Sequence, residues 1–271
     1  YKEGTLGEKS QKKSKELFEK ILVVEEDPYS RYLLAEIYFE QGQYLNSRKE
    51  LFFIIGDMKI LEEDPFFVSE TYNLLGRSFA QDSFLKEAER NFLEAYAILE
   101  NNLERNSSRF ATVSNNLGLV YLNLGRLNKA EKFIQKALKL QPKDGVAYNN
   151  YGILFLERGE LNRAKDFFKK SLRLLQNDWG DSHLELTATM NSLGIIYSEL
   201  GMLLEAKKIY LEALVIIKKN LSIQHQYYAT TLGNLANVFA SLGDFKAAEV
   251  TYSKLIKLYE TVLSPRQQEY A

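Results

Sequence analysis

The 271-residue sequence predicts an all-α fold, an α-solenoid of six helix pairs, and three observations carry that prediction. A short phrase recurs along the chain at a spacing of about 34 or 42 residues, as only stacked repeats require. Only four prolines interrupt a chain rich in Leu, Glu, Lys and Ala, which favours helix over strand. A composition of 45% hydrophobic and 26% charged residues is that of an ordered globular chain, too apolar for disorder.

The phrase is clearest at Asn116-Leu117-Gly118 with Tyr121, and returns at Asn150-Tyr151-Gly152 with Phe155 and at Ser192-Leu193-Gly194 with Tyr197. Looser copies stand at Leu33-Leu34-Ala35, Leu74-Leu75-Gly76 and Asn234-Leu235-Ala236. The small residues Ala35, Gly76, Gly118, Gly152, Gly194 and Ala236 mark the six units, separated by 41, 42, 34, 42 and 42 residues. Seven residues past each marker comes a turn glycine, with Ser83 standing in once. Further on stand a small residue (Ala88, Ala130, Ala164), a bulky one (Phe92, Ile134, Phe168) and a second small one (Ala95, Ala137, Ser171, Ala213). Small residues on two helices let their backbones approach, and the bulky side chain fills the space between. Each unit therefore reads as helix, tight turn, helix. The units lie near 28–61, 69–102, 111–144, 145–178, 187–220 and 229–262.

Residues 1–27 read as a capping helix, carried by Leu17, Phe18, Ile21 and Leu22 at helical spacing and ended by Asp27-Pro28. The four prolines, Pro28, Pro65, Pro142 and Pro265, are expected in connections between units. Residues 263–271 read as the start of a further repeat or a tail, and the chain begins at Tyr1 with no signal-peptide pattern, so an upstream segment is expected. The compartment fits cytoplasm or cell envelope equally.

This pattern resembles the tetratricopeptide repeat over residues 28–262, and the 42-residue units, with Asp181-Ser182-His183 and Ile223-Gln224-His225 in their inserts, are similar to those of kinesin light chains and related adaptors. The resemblance implies a non-catalytic scaffold that binds an extended or helical peptide of a partner in a concave groove lined by the first helices. The alternatives are an interaction module of a larger enzyme and a peptide-responsive regulator.

First-helix amides are the candidate contacts. Asn73, Asn115, Asn149 and Asn191 share one position; Asn116, Asn150 and Asn234 share the next, with Asn237 one turn on. Asn is a mediocre helix former, so its recurrence inside helices needs a reason. An amide that both donates and accepts suits a peptide main chain, or equally bonds one repeat to the next. Asn116, Asn150 and Asn191 are expected to face the groove, with Arg77 and the apolar positions Leu119, Leu122, Ile153, Leu156 and Ile195 beside them. Members of the family that bind carboxylates use a clamp of Lys, Arg and Asn. Here Arg77 is its single cation and Val146 stands where a lysine would be, with Glu36, Glu70, Glu157 and Glu199 near the rims. The expected partner is a neutral, apolar or mildly basic segment.

Other chemistry is poorly represented. A net charge of −1 offers no attraction for nucleic acid, and no apolar run approaches the roughly 20 residues of a membrane span. The chain has no cysteine, no phosphate loop and no nucleophile motif, so neither cofactor nor metal is expected and the chain does not read as an enzyme. His183 and His225, 42 residues apart, read as helix-start residues of successive units rather than a metal pair, and Trp179 as a cover for the core edge rather than a binding aromatic.

Overall fold

The computed structural model describes residues 13–20, 27–56, 64–101, 107–220 and 226–268, with no side chain described for 226 or beyond 260. The chain forms two compact units, Tyr1–Pro142 and Lys143–Ala271. The first holds a short helix α1 over 13–20, then α2 (Pro28–Glu40) with α3 (Tyr44–Ile55), α4 (Pro65–Gln81) with α5 (Leu85–Asn101), and α6 (Ser108–Asn123) with α7 (Leu127–Leu140). The second holds α8 (Gly145–Glu157) with α9 (Leu161–Trp179), α10 (Leu186–Glu199) with α11 (Leu203–Asn220), and α12 (Gln226–Ser241) with α13 (Phe245–Gln268). The described residues contain no strand, and within each unit every helix packs on the next one in the chain from α2 onward.

Each pair closes the same way. Gly42, Gly125, Gly159, Gly201 and Gly243 have φ of 69–77°, and Ser83 joins them at 62°. A left-handed residue just past a helix lets the following N–H reach back five residues. Accordingly Arg126 N donates to Tyr121 O, Glu160 N to Phe155 O and Met202 N to Tyr197 O, each at 2.8 Å. The aromatic of the repeated phrase thus also supplies the carbonyl that ends its helix. Four first helices begin at acceptor side chains, with Asp27, Asp64, Ser107 and Asp144 capping α2, α4, α6 and α8. Pro28 and Pro65 sit in the first helical turn, where the missing N–H costs nothing.

The marker glycines are seats for the bulky residue of the second helix. A Cβ on Gly152 would lie 2.8 Å from the Phe168 ring, and one on Gly194 2.5 Å from the Tyr210 ring. Phe168 and Tyr210 are both buried by this approach. The last pair departs from the pattern: Gly233 stands where the four preceding pairs have Asn, Leu255 stands where they have Ala or Ser, and Leu255 Cδ2 lies 3.5 Å from where a Gly233 Cβ would be.

Within the first unit the pairs are also joined by Arg48. Its buried guanidinium donates to Ser78 O at 3.0 Å, pairs with Asp82 Oδ2 at 2.6 Å and lies over the Phe79 ring. The 42-residue spacing extends first helices at their N-termini, so that α4, α6, α10 and α12 start one to four residues before the unit boundaries expected from the repeat.

Two expectations change. Pro265 falls inside α13, which runs on to Gln268, rather than in a connection. Being in the last turn, it removes only one backbone bond. Helix α1 covers 13–20, and Leu17, expected in its apolar stripe, is 56% exposed, whereas Phe18 is half-buried, Lys15 lies over the Tyr38 ring and Tyr38 Oη donates to Glu19. Ile21 and Leu22 lie outside the described residues.

Candidate functional site

In both units neighbouring first helices touch: α2 with α4, α4 with α6, and α10 with α12. Their outward strip is set by positions six before and one after the marker, two helical turns apart and on one face. In the first unit these are Tyr29, Glu70 and Thr112, then Glu36, Arg77 and Leu119; all are exposed or half-buried. In the second they are Val146, Ala188 and Thr230, then Ile153, Ile195 and Asn237, again exposed or half-buried. The first strip is aromatic and charged, the second uncharged. Sequence reasoning named the second member of each couple but, of the first members, only Glu70 and Val146; it missed Tyr29, Thr112, Ala188 and Thr230.

The amides lie deeper than the strip. Asn115 and Asn150 are 6% and 3% exposed, so Asn150 does not face an open surface as expected. Asn116 Nδ2 donates to Asn73 Oδ1 at 2.8 Å and Thr189 Oγ1 donates to Asn149 Oδ1 at 3.0 Å, across neighbouring first helices in each case. These amides join pair to pair. Asn234 is half-buried, and Asn237, exposed, accepts from Tyr252 Oη. Leu122 is buried too, whereas Leu119, Ile153 and Leu156 are half-buried and Ile195 is 37% exposed.

Asn191 differs from its counterparts. Its Oδ1 is buried and accepts no hydrogen bond among the described residues. It lines a cavity of about 270 Å³ with Thr187, Ala188, Tyr227 and Thr230, between the N-terminal halves of α10 and α12. A second cavity of about 420 Å³ opens between α2 and α4, walled by Tyr29, Tyr32, Phe66 and Phe67, with Asp64, Glu70 and Arg109 at its polar side.

The clamp of the sequence reading is not assembled in the first unit: Asn73 and Asn116 are bonded to each other, and the Arg77 guanidinium lies 4.4 Å from the centre of the Phe39 ring. Burial, reinforced by Glu40 and Glu70 and opposed by Arg77, raises the Glu36 carboxyl above its ordinary value. Burial also raises the Tyr32 hydroxyl, with Glu36 and Glu70 adding to the effect. Trp179 ends α9, 41% exposed, its ring 4.9 Å from His183; His225 lies outside the described residues. No cluster of three metal-ligating side chains occurs among the described residues.

A tetratricopeptide repeat profile matches residues 67–143, 109–177 and 185–261. The chain belongs to the tetratricopeptide repeat family. Among solved structures, a protein of Podosopora anserina described as a kinesin light chain with nearly identical TPR-like repeats is 16% identical, with a TM-score of 0.60 over 74% of this chain and 99% of that one. The Cut9-Hcn1 hetero-tetramer of the APC/C is 17% identical, with a TM-score of 0.72 over 92% of this chain and 43% of that one. At such identities the tetratricopeptide fold is what is shared. No curated protein matches the sequence. Tetratricopeptide arrays are interaction scaffolds and generally non-catalytic, and no described helix is long and apolar enough to cross a membrane.

Proposed function

We propose that this tetratricopeptide chain is a non-catalytic scaffold that binds an extended or helical segment of a partner protein along the first-helix strips of its units. Asn191 carries the reading. A buried amide oxygen without a donor among the described residues costs about 1–3 kcal/mol, a cost removed when the side chain turns into the adjoining cavity and meets a partner's N–H. Ile195, Val146 and Ile153 on the same unit's strip give apolar surface for side chains, and that strip carries no charge that would favour an acidic segment. The partner is a neutral, apolar or mildly basic segment, and the amide set Asn73, Asn115, Asn116, Asn149 and Asn150 holds the first helices in register behind the strip.

A photo-crosslinking residue at Ile195, on α10, tests this against the same residue at Leu204, on the second helix of that pair. Capture of a discrete partner from Ile195 and not from Leu204 is expected. Capture from Leu204 alone would move the binding surface to the second helices and overturn the reading.

A further inference from the structure

We infer that the cavity between α2 and α4 receives a cationic side chain, lysine or arginine, of the bound segment. The inference rests on the peptide-binding reading and adds to it the chemistry of one pocket. The walls are rings: Tyr29 and Phe67 have centroids 4.4 Å apart, and Tyr32 meets Phe67 edge-on at 5.5 Å. Phe66 and the aliphatic Leu33 complete the apolar lining. An aromatic face, with its negative quadrupole, attracts a cation within about 6 Å of the ring centre.

The polar side is negative. Asp64 accepts from Phe67 N at 3.0 Å and from Tyr29 Oη at 2.9 Å, which fixes both the carboxylate and the ring it anchors. A carboxylate has about four acceptor sites, so these two bonds do not exhaust it. Glu70 pairs with Arg109 Nε at 2.6 Å, in an exposed pair that solvent screens. The negative charges of Glu36 and Glu70 add to burial in raising the hydroxyl of Tyr32, which lines the cavity. Two carboxylates, Asp64 and Glu70, thus line the cavity against the single guanidinium of Arg109.

This balance decides among occupants. An acidic side chain would be repelled, and an apolar one would strip water from Asp64 and Glu70 while giving them nothing in return. A cation satisfies rings and carboxylates together. The same unit already places guanidiniums on rings, Arg31 over Phe53 at 4.5 Å and Arg77 over Phe39 at 4.4 Å. At about 420 Å³ the cavity has room for a long basic side chain.

The test is selection of a random peptide library on the whole chain, followed by fluorescence anisotropy of the best peptide and of its copies carrying norleucine or Glu at the enriched position. A basic residue is expected at one position, with at least a tenfold loss on replacement by norleucine. Glu70→Gln and Phe66→Leu, both off the core, should weaken binding several-fold, while Arg109→Ala, which removes a competing cation, should strengthen it. Opposite signs from two partners of one ion pair are not produced by a loss of folding, which melting curves check separately. Enriched peptides with no basic position, or equal effects of Glu70→Gln and Arg109→Ala, would overturn the pocket and leave the strip standing. A library that yields no binder would overturn the strip and the pocket with it.

Discussion

Single positions in this chain carry consequences out of proportion to their size. Ser83 holds a left-handed conformation that five glycines hold elsewhere, and a side chain there is strained by about 1 kcal/mol. Ser83→Gly should therefore raise the midpoint of urea unfolding of the first unit, and an unchanged or lower midpoint would show that its hydroxyl compensates. Gly152 is the opposite case. Even Gly152→Ala forces the Phe168 ring to shift, and the cost is about 1–3 kcal/mol, read as a lowered melting temperature. Glu36 predicts a pH effect. Its carboxyl titrates above the ordinary 4.5, because burial, Glu40 and Glu70 outweigh Arg77. Below 4.5 both folded and unfolded chains hold the proton, so the group costs nothing; as pH rises through the raised folded value, the folded chain must carry a buried charge and stability falls. Glu36→Gln should remove that fall, so that the variant gains on the parent between pH 4.5 and 7 in thermal melts.

At the scale of helices, the same few devices recur and explain what was legible. Marker glycine, turn glycine and bulky second-helix residue could be read from the sequence because each is imposed by local geometry and returns in phase. Which of two adjacent amides would lie under the strip could not be read. At about 100° per residue, neighbours such as Asn149 and Asn150 differ by a quarter turn, and the way each helix leans on the next decides which is covered. Asn150 was thus misplaced although its helix was not. Tyr29, Thr112 and Ala188, which open the strip, escaped notice for the reverse reason: their place is constant and their chemistry is not. Arg48 also has no counterpart in the repeated pattern. Because its bonds to Ser78 O and Asp82 tie α3 to the end of α4, Arg48→Met should cost about 2–3 kcal/mol in urea unfolding. A loss below about 0.5 kcal/mol would mean the pair breaks even with its desolvation.

For the molecule as a whole, contacts run between successive helices, and stability should be distributed accordingly. Hydrogen exchange in the Gly152→Ala protein is expected to speed up in α8 and α9 while α2 and α3 keep their protection; uniform loss would mean that the array opens only as one piece. The array was legible at this scale because six phased copies leave little freedom to the fold. The division into two compact units was not, since no change of composition or linker marks Pro142.

Gly233 and Leu255 show what such an array permits over time. In four pairs an amide on the first helix accompanies a small residue on the second; in the last, bulk has left the first helix and appeared on the second, across 3.5 Å. Neither change reads well alone: Asn at 233 would crowd the leucine, and Ala at 255 would leave a hole beside glycine. The two positions behave as one heritable character written on two helices, so that a lineage can exchange one spelling for the other only by passing through a misspelt intermediate or by changing both letters together.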